Sequence, residues 1–216
     1  PSLKPERSVS AEAGIEQAFA SGHALVEATG FYNNYDDLIV AVGSFVEASR
    51  YRTDNIANAR ARGLELAGTA RVRIATSTPI DLEWRVAYTL LDTEVLALDR
   101  ATNAPPPFTV GDPLLRRPRH QASTYLTATS GKLTAYLQGG GRGRALDVEP
   151  SYGTFGGLFY AAGYQAWSAG ASWRVMRSAE IFGRIDNLFD RDYEEALGFP
   201  APGRGAFVGF RIAAGR

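Results

Sequence analysis

Runs in which apolar and polar residues alternate recur along this chain, and the gaps between them come in two sharply different lengths. The alternation is cleanest over residues 80–89, where Leu82, Trp84, Val86 and Tyr88 oppose Asp81, Glu83, Arg85 and Ala87. Successive side chains of a strand point to opposite faces, so a period of two reads as a strand with one apolar and one polar side. Similar runs cover residues 8–17, 23–33, 55–71, 119–129, 132–142, 164–174, 179–186 and 206–212. The connections after Ala20, Ala75, Thr129 and Val175 are very short and rich in turn formers such as Ser21-Gly22 and Ser130-Gly131. The remaining connections are far longer: residues 34–52 (with some strand at the base), 94–118, 144–159 and the polar segment 187–204.

Loops beyond about 15 residues are uncommon in compact domains. Transmembrane barrels, by contrast, use short turns at the periplasmic end and long loops outside. The pattern therefore predicts an all-β chain of about nine antiparallel strands in a continuous meander. No helix longer than a turn or two is expected, and the strands form part of a transmembrane β-barrel. On this reading Trp84, Tyr88, Trp167, Trp173, Ile181, Val208 and Phe210 face the lipid, with the rings near the edges of the band. The opposite faces carry Glu12, Glu16, Glu27, Glu65, Arg85, Glu180, Arg184, Asp186 and Arg211, which suits a wet lumen. Two other architectures share these features. One is a smaller passive pore or adhesion barrel made of these strands alone, and the other is a soluble carbohydrate-binding β-sandwich.

Composition narrows the chemistry. Twenty-three basic residues balance 23 acidic ones, so there is no basic field for nucleic acid. The absence of cysteine excludes disulfides and thiolate metal sites. No run approaches the roughly 18 apolar residues of a spanning helix. His23 and His120 lack metal-ligand spacing, and Asp36-Asp37 and Asp190-Arg191-Asp192 read as turn-solvating carboxylates rather than calcium ligands. The stretch Gly139-Gly140-Gly141-Arg142-Gly143-Arg144 lacks the Lys-Ser/Thr ending and following helix of a phosphate loop. No catalytic, cofactor or metal site is expected. The better binding candidates are aromatic and Arg residues of the long loops: Arg50, Tyr51, Tyr152, Phe155, Phe159 and Tyr160, since such side chains often anchor binding sites.

The C-terminal segment Asn187-Leu188-Phe189-Asp190, followed by Tyr193 and then by Gly203-Arg204 and a last strand, resembles the end of TonB-dependent outer-membrane receptors. Leu3-Lys4-Pro5-Glu6, Asp36-Asp37-Leu38-Ile39 and Asn55-Ile56-Ala57 resemble earlier segments of the same barrel. The resemblance implies that residues 1–216 are the C-terminal portion of the barrel domain, about nine of 22 strands. It also implies energised uptake of a scarce nutrient, cobalamin or an iron-siderophore, across the bacterial outer membrane. Glu195-Ala196-Leu197-Gly198 tilts that choice toward cobalamin. The implied partners are outer-membrane lipid, the extracellular ligand and the barrel-assembly machinery. Contact with the TonB complex is expected only through an N-terminal region outside this chain, because the plug and the TonB-contacting segment lie there in the family. Family chains usually close on an aromatic residue; here Ile212 is followed by Ala213 and three more residues, leaving Phe210 as the substitute.

Overall fold

The computed structural model describes residues 3–42, 52–98, 109–148 and 157–213, with the side chains of 40–42, 52–54, 56 and 57 left out. In chain order the strands are β1 (Arg7–Phe19), β2 (Ala24–Val42), β3 (Arg52–Ile74), β4 (Ile80–Leu98), β5 (His120–Ser130), β6 (Leu133–Arg142), β7 (Ala145–Val148), β8 (Leu158–Ala161), β9 (Tyr164–Met176), β10 (Ala179–Asp186), β11 (Glu194–Ala196), β12 (Phe199–Pro200) and β13 (Gly205–Ile212). Nine of them form one sheet in the order β1-β2-β3-β4-β5-β6-β9-β10-β13. Every pairing in it is antiparallel, and every strand neighbours the next main strand in the chain. The pairs β7–β8 and β11–β12 are small separate hairpins. Among the described residues the only helix is one 3-10 turn, Ala20–Gly22, where Ala20 and Ser21 take positive φ to reverse the chain. The meander of nine is the architecture that the alternation requires.

The registers fix which residues share a face. Trp84 lies opposite Ala70 on β3 and Leu126 on β5. Leu126 faces Leu137, which faces Ala169; Ala169 faces Ile185, and Ile185 faces Ala206. Following the same side outward collects Ile15, Val26, Leu66, Val72, Leu82, Val86, Leu133, Trp173, Ile181, Val208 and Phe210. This face is uncovered: Val208 is 85%, Phe210 76% and Ile15 74% exposed. A sandwich would bury one face of its sheet, so the sandwich alternative does not describe this chain.

The extent of the apolar face matches a membrane. On β3 it runs from Leu64 to Ile74 in steps of two. At about 3.3 Å per residue that run is about 33 Å long, and a strand tilt of about 40° reduces it to about 25 Å, the height of a barrel's apolar band. Beyond Leu64 and Leu90 the two faces exchange character. The formerly apolar side carries cross-strand pairs Arg62–Asp92 (2.9 Å) and Arg60–Glu94. On the other side Ala59, Ala61 and Val95 are buried, with Val95 packed against Leu38, Leu98, Leu114, Leu115 and Leu158.

That exchange hides the ends of the long strands from the sequence pattern. Residues 34–42 and 94–98 continue β2 and β4 rather than opening loops, and 144–159 contains β7 and the start of β8. On β4 the period of two persists with its polarity reversed outside the lipid band, and on β2 bulges between Tyr35 and Ile39 interrupt it, so the alternation does not mark these segments as strand.

Several glycines have a definite packing role. Four stand directly opposite an aromatic residue on the next strand: Gly63 opposite Phe31, Gly139 opposite Trp167, Gly170 opposite Tyr136 and Gly209 opposite Phe182. In each case a Cβ on the glycine would clash with the partner's ring, 2.4 to 2.7 Å from its nearest ring atom. Each ring lies flat across a glycine, covering the gap in the sheet surface.

Candidate functional site

The polar face is laced with charge. Arg85 donates through Nε to Glu83 Oε1 at 2.6 Å, and Arg71 lies 3.6 Å from the same carboxylate. Arg73 and Asp81 pair at 3.6 Å across β3 and β4 near the short-turn end. On the C-terminal strands Arg211 bonds Glu180 at 2.9 Å and Arg184 lies 3.2 Å from Asp186. Arg184 also sits over the Phe207 ring and Arg211 over Phe182. These charges are mostly half-exposed and each is paired with one of opposite sign, as expected for a surface lining water rather than a dry core.

Where the polar face meets the long connections, an aromatic cluster forms. Tyr193 stacks on Tyr164 with centroids 4.4 Å apart. Arg142 lies 5.0 Å above Tyr164 and donates through Nη2 to the Glu195 carbonyl at 3.2 Å. Burial raises the Tyr193 pKa, and the neighbouring Glu195 carboxylate and Tyr164 push it the same way. Beside this cluster opens a cleft of about 310 Å³ lined by Phe159, Tyr160, Asp192, Tyr193, Glu194 and Leu197. Arg144 lies 4.8 Å over the Tyr160 ring. Of the six expected ligand-loop residues, Phe159 and Tyr160 therefore line one cleft, on β8 rather than on an irregular loop. Arg50, Tyr51, Tyr152 and Phe155 lie outside the described residues. Tyr164, Tyr193 and Arg142 were missed as a group, because nothing in their spacing announces that three segments converge.

The C-terminal motif forms a structural joint. Asn187 is buried and takes positive φ, as does Asp190. The Asn187 amide donates to the carbonyls of Arg191 (2.9 Å) and Pro202 (3.2 Å), while its oxygen accepts the Arg191 N–H at 2.9 Å. Asp190 Oδ1 accepts the backbone N–H of Arg204 at 2.8 Å. Leu188 N–H bonds the Trp167 carbonyl, and Phe189 meets the Trp167 ring edge-on. These contacts close the segment between β10 and β13, with Gly203 leaving room beside Asp190.

The three earlier motifs also converge. The Asn55 amide donates to the carbonyls of Lys4 (2.9 Å) and Asp37 (2.6 Å), and its oxygen accepts the Lys4 N–H. Glu6 Oε1 accepts the Ile39 N–H at 2.6 Å, beside a bulge in β2. Segments that are separate in sequence thus tie the loop-side ends of β1, β2 and β3 together.

His120 and Tyr88 share a 2.7 Å hydrogen bond on the apolar side, and His23 caps its own turn through the Ala20 carbonyl. Seven rings and aliphatic side chains expected to face lipid, Trp84, Tyr88, Trp167, Trp173, Ile181, Val208 and Phe210, share the apolar face by register.

Comparison with known proteins gives the same picture. A family model described as TonB dependent receptor-like, beta-barrel, matches residues 1–188. Among solved structures, the copper transporter OprC is 18% identical over 98% of this chain and 32% of its own, with a TM-score of 0.69. The siderophore receptor PiuA from Acinetobacter baumannii is 19% identical over 95% of this chain and 28% of its own, with a TM-score of 0.71. The FrpB iron transporter from Neisseria meningitidis is 15% identical over 97% and 32%, with a TM-score of 0.67. At these identities the likeness is one of fold, and the chain spans only 28–32% of the length of these three structures.

Proposed function

The chain belongs to the TonB-dependent receptor β-barrel family of the bacterial outer membrane, and we propose that it supplies barrel wall, lumen surface and ligand-facing loops for energised uptake of a metal chelate. The observation that supports this most is the division of one uncovered sheet. One face is apolar over about 25 Å, and the other carries matched charge and ends in an aromatic cleft. The short turns gather at one end and the long connections at the other, so the cleft lies at the extracellular mouth. Phe159, Tyr160 and Tyr193 offer ring surfaces, and Asp192 and Glu194 offer carboxylates. Trp84, Tyr88, Trp167, Trp173, Ile181, Val208 and Phe210 meet the lipid. The role is transport, with no reaction catalysed.

The matched structures are a copper transporter, a siderophore receptor and an iron transporter, which supports a metal-bearing ligand. An iron-siderophore and cobalamin both fall in that class, with the siderophore favoured by those likenesses. Assembly-machinery recognition of β13, through Phe210, and coupling to TonB through a region beyond this chain complete the proposal. The test is uptake of radiolabelled ferric siderophores and cobalamin by cells with and without the gene. Loss of uptake of one such ligand on deletion, and again on removal of TonB, supports the reading. Undiminished uptake of every chelate would overturn it.

A further inference from the structure

One wall of the aromatic cleft stands outside the nine-stranded sheet. The ladder between β6 and β9 ends with Arg142 opposite Tyr164, and pairing resumes only at Ala145 opposite Ala161, in the separate β7–β8 hairpin. Phe159, Tyr160 and Ala161 of β8 line the cleft together with Asp192, Tyr193, Glu194 and Leu197. The second group is tied to the sheet by the Tyr193–Tyr164 stack and by the bond from Arg142 to the Glu195 carbonyl. The hairpin needs a fastening of its own.

The connection between β4 and β5 provides it. Segment 109–118 is bonded to β4: the Val95 N–H donates to the Asp112 carbonyl and the Gly111 N–H to the Val95 carbonyl, both at 2.9 Å, and the Leu114 N–H donates to Thr93 Oγ1 at 3.0 Å. From this base Arg116 reaches the hairpin twice. Its backbone N–H donates to the Leu146 carbonyl at 2.7 Å, and its Nε donates to Asp147 Oδ1 at 2.8 Å. The same oxygen accepts the Val148 N–H at 2.8 Å. The Asp147 side chain is only 6% exposed, against 67% for Arg116. A buried carboxylate stripped of its countercharge is strongly unfavourable, so Asp147 ties the hairpin to Arg116. Arg116 also has a φ of +56°, where a turn alone would favour glycine. An arginine held in that conformation points to a use for its side chain.

We infer that Arg116 is a positioning residue for ligand binding: through Asp147 it holds the hairpin where Phe159 and Tyr160 complete the cleft. Ligand then meets a wall already in place. Released from Arg116, the hairpin samples other positions, and apparent affinity falls with the fraction of molecules that keep the wall in place. The inference rests on the uptake reading for what the cleft holds, and goes beyond it in naming the pair that sets the cleft's shape.

The test compares the intact outer-membrane protein carrying this chain with its Asp147→Asn and Arg116→Gly variants. Hydrogen exchange in detergent micelles is expected to quicken about tenfold at 145–148 and 158–161 in both variants, and to stay unchanged in β6 and β9. Arg116→Gly removes the side chain and relieves the backbone, so a residue that only shaped its turn would leave the hairpin fully protected. Uptake of radioiron-loaded siderophores and radiolabelled cyanocobalamin by cells gives the second readout. The half-saturating concentration is expected to rise about tenfold at an unchanged maximal rate, as when about one molecule in ten keeps the wall in place. Heat-modified gel migration confirms folding, and Arg116→Gly alone carries the test should Asp147→Asn insert poorly. Unchanged hairpin exchange, exchange quickened equally throughout β6 and β9, or a loosened hairpin with unchanged half-saturation would overturn the positioning role. Failure of the uptake reading appears differently: no probe enters even with the unaltered protein, and the exchange pattern then decides alone whether Arg116 holds the hairpin.

Discussion

Trp167 lies flat across Gly139, its direct partner on the neighbouring strand, and its ring occupies the space that a side chain at Gly139 would need. Replacing Gly139 with Val therefore forces the indole off the sheet. Overpacking of this kind costs about 1–3 kcal/mol. The loss is expected as a lower urea midpoint for protein refolded into vesicles, with a changed Trp emission. An unchanged midpoint and spectrum would show that the ring does not rest there.

Asn187 satisfies two carbonyls and one N–H from a buried position. Asn187→Ala leaves those groups without a partner and places alanine in a left-handed conformation that it tolerates poorly. A loss of about 2–3 kcal/mol follows, together with faster hydrogen exchange at Arg191 and Arg204. Exchange confined to residue 187 itself would argue against a joint.

The stack of Tyr193 on Tyr164 predicts an alkaline transition. Burial raises the folded pKa of Tyr193 above its unfolded value near 10. The neutral ring is thus retained below about pH 10, and its contribution to stability is lost as pH rises through the folded value. Phenolate absorbance should lag for one tyrosine and then appear together with loosening of segment 191–201. Tyr193→Phe removes the lagging titration. A lag that survives in that variant assigns it to another residue.

β1 and β13 lie at opposite edges of the sheet and do not pair with each other. Unpaired backbone groups in lipid cost several kcal/mol each, and bacterial single-chain barrels use an even strand number. These 216 residues expressed alone are expected to aggregate and to give no conductance in planar bilayers. Stable single-channel steps would instead support a small pore.

The sheet was largely legible because lipid demands an apolar outer face and water a polar inner one, which imprints a period of two on 80–89, 164–174 and 179–186. β10 spans Ala179–Asp186, as its alternation indicated. Legibility failed above the band, where Arg60 and Arg62 face outward while Ala59 and Val95 turn inward and are buried. The site was less legible. The short motifs around Asn55 and Asn187 marked where the chain is fastened, and the structure shows their bonds to be mostly internal. The cleft is built from β8 and the segment around Tyr193, which only the folded sheet brings together.

A cysteine scan along β4 in native outer membranes tests most directly whether the sheet separates lipid from a watery lumen. The chain has no native cysteine to confuse the result. Single cysteines at positions 82 to 89 are treated with a membrane-impermeant maleimide. Asp81 and Glu83 neighbour Arg85 and Ala87 on the charged face, so cysteines at 83, 85 and 87 should label, while those at 84, 86 and 88 remain protected by lipid. Uniform labelling, or the opposite alternation, would contradict the assignment of the faces and the uptake role built on it.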